Sequence, residues 1–104
     1  MLDWDFSKLT QFSNMFAGLS SFNQDISRWN TSSAVNMRGV FQASLVFNGD
    51  ISHWDVSNVR FMGDVFKNAV AFDSDISMWH VGKVVDASSM FKNNTVFKPS
   101  LRVT

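Results

Sequence analysis

The chain has 104 residues, no cysteine and a formal charge of zero, which sizes it as one small domain and excludes a disulfide scaffold. No run of about 18 apolar residues occurs, so no membrane span is expected in this chain. Nine basic residues, scattered against nine acidic ones that are all Asp, leave no electrostatic footprint for nucleic acid.

The pattern along the chain is a strict repeat. Trp4, Trp29, Trp54 and Trp79 stand 25 residues apart, and Phe16, Phe41, Phe66 and Phe91 follow in phase. Phe22, Phe47, Phe72 and Phe97 form a third column, and Ile26, Ile51, Ile76 and Leu101 a fourth. Asp25, Asp50 and Asp75 precede the isoleucines; Ser27, Ser52 and Ser77 follow them. A unit this short cannot bury its own apolar face, so the units are expected to stack with like residues superposed. This predicts one tandem-repeat solenoid domain over residues 1–104, with units at about 4–28, 29–53, 54–78 and 79–103, as part of a longer array.

Met1 falls in the isoleucine column, so the chain is expected to begin inside a strand. Each unit then predicts a very short parallel strand at Asp25-Ile26-Ser27, Asp50-Ile51-Ser52 and their equivalents, with Ile inward and Asp and Ser outward. A short helix follows. Ala34, Met37, Val40, Phe41 and Ser44 recur at i, i+3, i+6, i+7 and i+10, and Val59, Met62, Val65, Phe66 and Ala69 repeat the template. Ser32-Ser33 and Ser57-Asn58 stand ahead as N-caps. The expected fold class is therefore an α/β solenoid of four coils, each with a strand and a helix, joined by right-handed crossovers. In the last unit Lys98, Pro99 and Ser100 replace the strand-forming residues, and proline there suits a closing edge.

The stretches Phe22-Asn23-Gln24-Asp25-Ile26-Ser27-Arg28-Trp29 and Phe47-Asn48-Gly49-Asp50-Ile51-Ser52-His53-Trp54-Asp55-Val56-Ser57-Asn58-Val59 carry a resemblance. The chain resembles the BspA-like bacterial surface-protein repeats, a domain of unknown function typical of mycoplasma lipoproteins and relatives. The likeness covers essentially the whole chain. It departs at Val40 and Val65, where the family favours Met, and at His80-Val81-Gly82-Lys83, which replaces Asp-Val-Ser-Asn. The resemblance implies a leucine-rich-repeat-like solenoid on secreted or cell-surface proteins, with adhesive or interaction roles and no catalytic residues. No signal peptide is read in this chain, so the surface placement comes from the resemblance alone.

Two columns invite a functional reading. If a strand ran on from Ile26 in strict alternation, the tryptophans would point outward and offer indoles for stacking on sugars. The preceding column, Arg28, His53, Met78 and Val103, cannot all be core. The inward reading, with the chain turning just before each Trp, is therefore favoured. Asp25, Asp50 and Asp75 would stand about 4.8 Å apart on adjacent rungs and repel. Either each accepts backbone N–H bonds in an Asx-turn, or a divalent cation sits between rungs with Ser27, Ser52 and Ser77 as oxygen neighbours. The Asx-turn is preferred, because neither an EF-hand spacing nor a glycine-rich calcium repeat occurs, and no metal or cofactor is expected.

His53 and His80 fall in different columns, there is no Glu, and no nucleophile or phosphate-binding motif occurs, so no catalytic site is expected. Thr10, Thr31, Thr95 and Thr104 share no column, which argues against ice binding. Asn30-Thr31-Ser32 and Asn93-Asn94-Thr95 would accept glycans only in a secreted eukaryotic chain. The expected function is a non-catalytic surface scaffold for adhesion to a protein or glycan, with neighbouring repeats of the same array as further partners. Its candidate interaction surface is Asp25, Ser27, Arg28, Asp50, Ser52, His53, Asp75 and Ser77, beside the varying Asn30/Asp55/His80 column. The alternative is an architectural spacer, with a hydrolase remote.

Overall fold

The computed structural model describes residues 6–94. Trp4, Phe97, Pro99, Leu101 and the expected strand starting at Met1 lie outside the described residues.

The 25-residue register governs the packing. Parallel bridges join Gln11 to Asn36, Asn36 to Phe61 and Phe61 to Asp86. The rings of Phe16, Phe41, Phe66 and Phe91 stack in one column at centroid distances of 5.6, 5.8 and 5.6 Å. Trp29 and Trp54 stack 6° from parallel at 6.4 Å, and Phe47 packs on Phe72 at 6.3 Å. Identical residues one unit apart therefore touch, and the core is their common interior.

The expected α/β solenoid of strands and helices is not what forms. Among the described residues there is no helix, and extended structure is confined to the single-residue bridges. The reason lies in the backbone at two columns. Asn14, Gly39, Asp64 and Ser89 all have positive φ (58°, 67°, 61° and 56°), and so do Gly18, Ala43, Asn68 and Asn93 (72°, 57°, 59° and 63°). A left-handed residue every four positions reverses the helical sense before an i→i−4 bond can close.

The chain instead makes linked β-turns. In residues 37–44, the N–H groups of Val40, Gln42 and Ser44 donate to the carbonyls of Met37, Gly39 and Phe41, three residues back. Gly39 and Ala43 occupy the third place of the first and third turns, where a type II turn requires positive φ. The intervening N–H groups point along the stack: Met37, Gly39, Phe41 and Ala43 donate to Phe61, Gly63, Val65 and Lys67 at 2.8–3.0 Å. The same alternation recurs in residues 12–19 and 62–69. Backbone donors are thus shared between turn and neighbouring unit, which satisfies them without a helix or a sheet.

The apolar spacing that suggests a helix is genuine. Ala34, Met37, Val40, Phe41 and Ser44 are all fully buried. Consecutive i→i−3 turns bring every third or fourth side chain inward much as a helix does, so periodicity alone does not separate the two. The expected N-caps are turn residues as well. Ser32 and Ser33 are the central pair of a turn closed by Ala34 N–H on Thr31, and Ser57 and Asn58 of one closed by Val59 on Val56.

The expected Asp-Ile-Ser strands are likewise turns. Trp29, Trp54 and Trp79 donate their backbone N–H to Ile26, Ile51 and Ile76 at 3.3, 3.1 and 3.1 Å. Each isoleucine is buried, and the turn folds the following tryptophan inward, so all three indoles are buried. Trp54 Nε1 donates to the Ile26 carbonyl at 2.9 Å, and Trp79 Nε1 to that of Ile51 at 3.0 Å. The indole thus fills the core and also ties its unit to the preceding one. Buried Ser44 donates its hydroxyl to the Phe16 carbonyl at 2.7 Å. Among the described residues no buried side-chain nitrogen or oxygen lacks a hydrogen bond. No helix there is long and apolar enough to cross a membrane.

Candidate interaction surface

The turn that buries each isoleucine places the flanking polar residues at the surface. Asp25 Oδ1 accepts the Ser27 N–H at 3.0 Å and the Ser27 hydroxyl at 2.7 Å. Asp50 holds Ser52 in the same way at 3.0 and 2.6 Å. Asp75 accepts the Ser77 N–H at 2.8 Å. These are Asx-turns: a carboxylate substitutes for a backbone acceptor two residues on. Asn30 with Ser32, and Asp55 with Ser57, repeat the device five residues later.

The serine bonds hold the carboxyls of Asp25, Asp50 and Asp75 below the ordinary carboxylate range. Asp25 opposes this at Asp50, and Asp50 at Asp75, so like charges on adjacent units do repel, weakly beside the turn bonds. Arg28 assists ionisation of Asp25, and His53 that of Asp50. Among the described residues no three His, Asp, Glu or Cys side chains gather into a metal-holding group.

The eight candidate residues therefore divide. Asp25, Asp50 and Asp75 are exposed but each commits one oxygen to its own turn, and Ser27, Ser52 and Ser77 are half-buried beside them. Arg28 and His53, with Met78 in the same column, are exposed just before the buried tryptophans. They differ in every unit, whereas their neighbours repeat.

Other exposed groups lie where the apolar periodicity gives no signal. Arg38 reaches across the stack to Asp64 at 3.7 Å and Asp86 at 3.5 Å, passing over Gly63. Phe61 and Val85 are exposed on the bridge ladder. Leu45, Val46 and Val70 form a further apolar edge. For Phe61 the signal is the departure of one unit from its column, which elsewhere carries Gln11, Asn36 and Asp86.

In-register aromatic columns, Asx-turns on each isoleucine and turn-linked units define a tandem-repeat chain. The chain belongs to the family described as Mycoplasma protein of unknown function, DUF285, whose profile matches residues 1–103. No curated protein and no solved structure matches it.

Proposed function

We propose that this chain is a non-catalytic repeat scaffold of the BspA-like kind, displayed at a cell surface or secreted, and that it holds a protein or glycan through its varying exposed columns. One observation carries the reading: the repeated polar residues are spent on local turns, while the column Arg28, His53, Met78 is exposed and differs at every unit. A cation, an imidazole and a thioether on successive units offer distinct contacts from one constant frame. Extended faces of tandem-repeat proteins bind in this manner. The surface placement comes from the resemblance alone.

The test is retention of the chain on cells or on glycan arrays. Arg28→Glu with His53→Glu should abolish retention while folding stability stays within about 0.5 kcal/mol, as for most surface changes. One small neutral face gives weak binding, so retention should strengthen when several copies are displayed together. Absence of retention under multivalent display would identify the chain as a spacer.

A further inference from the structure

The formal charge is zero, but the surface charge is segregated. On the bridge ladder, Val35, Arg60 and Val85 occupy successive units, linked by Arg60 N–H to the Val35 carbonyl and Val85 N–H to that of Arg60, both at 2.8 Å. Phe61 and Lys83 flank them, and Lys83 donates to neutral Asn58 at 3.1 Å. The nearby acids Asp64 and Asp86 are engaged by Arg38. The strip is therefore apolar and cationic.

Phe61 is the departure in this strip. In its column Asn36 Oδ1 accepts the Arg38 N–H at 3.0 Å and Asp86 Oδ1 the Ser88 N–H at 2.9 Å, closing the entry to the turn ladder. Phe61 offers no acceptor and is 39% exposed, and Val85 beside it is 68% exposed. Breaks of a local rule are expected at functional positions.

A second strip has the complementary character. Leu45 and Val70 repeat at one position, with Val46 adjacent, and all are nearly half exposed. Asp50, Asp73 and Asp75 follow a few residues later, and no Lys or Arg occurs within residues 44–52 or 69–77. Asp73 N–H and the Ser74 hydroxyl bond to the Asn48 side chain, at 2.6 and 2.9 Å, which fixes this edge across two units.

We propose that the chain associates with further copies of itself head to tail, the Arg60–Phe61 strip of one copy seated on the Val70–Asp73 edge of the next. Both strips run along the stack with the same rung spacing of about 4.8 Å, so charges on one can meet charges on the other in register. Two different faces make a heterologous contact, which propagates instead of closing into a dimer. Each face is small beside the area of about 800 Å² per partner typical of stable complexes, so the association is weak and depends on concentration. Its acidic edge includes Asp50 and Asp75, three residues before His53 and Met78, so the Arg60→Gln/Lys83→Gln variant, which leaves that column untouched, tells this self-contact apart from binding at the Arg28/His53/Met78 face.

Sedimentation velocity on the 104-residue chain tests it. Wild type should show concentration-dependent species larger than a dimer at low salt, reverting to monomer at about 0.5 M salt, where charges are screened. Arg60→Gln with Lys83→Gln should be monomeric, and so should Asp50→Asn with Asp73→Asn and Asp75→Asn, which keeps the turn acceptors. Mixed, the two variants should form one-to-one dimers and nothing larger, because each retains one intact face. Wild type that stays monomeric at low salt overturns the proposal. So does association that persists in either variant alone, or a mixture that yields no dimer.

Discussion

At the scale of single residues, the fold depends on side chains that tolerate a left-handed backbone. Six of the eight described left-handed positions hold Gly, Asn or Asp; Ala43 and Ser89 are the others. An L-residue with a Cβ and no helpful side chain loses about 1–2 kcal/mol there. Ala43→Gly should therefore stabilise the chain by about 0.5–1 kcal/mol, the steric relief exceeding the glycine's entropy cost. Gly39→Ala should do the reverse and lose about 1–2 kcal/mol, since its Cβ would also run into the Asn14 side chain. Urea melts of the two variants with opposite shifts in midpoint would establish the turn geometry; a stabilised Gly39→Ala would refute it. These residues are also where the helical spacing and the backbone part company. The columns Asn14/Gly39/Asp64/Ser89 and Gly18/Ala43/Asn68/Asn93 are rich in helix-breaking residues at a four-residue interval inside an apolar pattern. Weighting those columns above the 3.6-like spacing separates linked turns from a helix.

At the scale of the local element, the Asx-turns couple folding to acid. Asp25, Asp50 and Asp75 have lowered folded-state values, caused first by the Ser27, Ser52 and Ser77 bonds. An unfolded Asp, with a value near 3.9, takes up its proton at higher pH than the folded one. Their contribution is therefore complete above about pH 4 and is lost as pH falls through the lower folded values. Because all three groups are solvent-exposed, the loss should be shallow and salt-sensitive. Asn at all three positions can still accept the backbone bond but does not titrate. Melting temperatures of that triple variant should lie slightly below wild type at pH 7, fall less between pH 4 and pH 2.5, and so converge on wild type in acid. An equal acid slope in both proteins would place the sensitivity elsewhere, at Asp55 or Asp86, whose turns are built alike. The Asp column was legible from spacing because its partner serine is two residues away. The Arg38 bridge to Asp64 and Asp86 was not, since it pairs three different columns across three units.

At the scale of the molecule, units are held by what lies above and below them. Phe66 is fully buried and stacks on Phe41 at 5.8 Å, on Phe72 at 4.1 Å and on Phe91 at 5.6 Å. Its removal opens a cavity between units as well as within one. Phe66→Ala should cost about 3–5 kcal/mol, the range for a buried phenylalanine. Phe91 is only half-buried, so Phe91→Ala removes less buried surface and should cost distinctly less. The damage should also spread differently. The amides of Met37, Gly39, Phe41 and Ala43 bond to carbonyls of residues 61–67, and those of Met62, Asp64, Phe66 and Asn68 to residues 86–92. Loosening the unit around Phe66 therefore withdraws acceptors from one neighbour and donors from the other, and a stack with nearest-neighbour coupling breaks at its weakest interface. Hydrogen exchange should show protection falling at residues 37–43 and 62–68 together in Phe66→Ala, while Phe91→Ala leaves residues 37–43 close to wild type. Equal losses at both sites in both variants would mean that the chain unfolds as one indivisible core, and the unit-by-unit account of its stability would have to be abandoned.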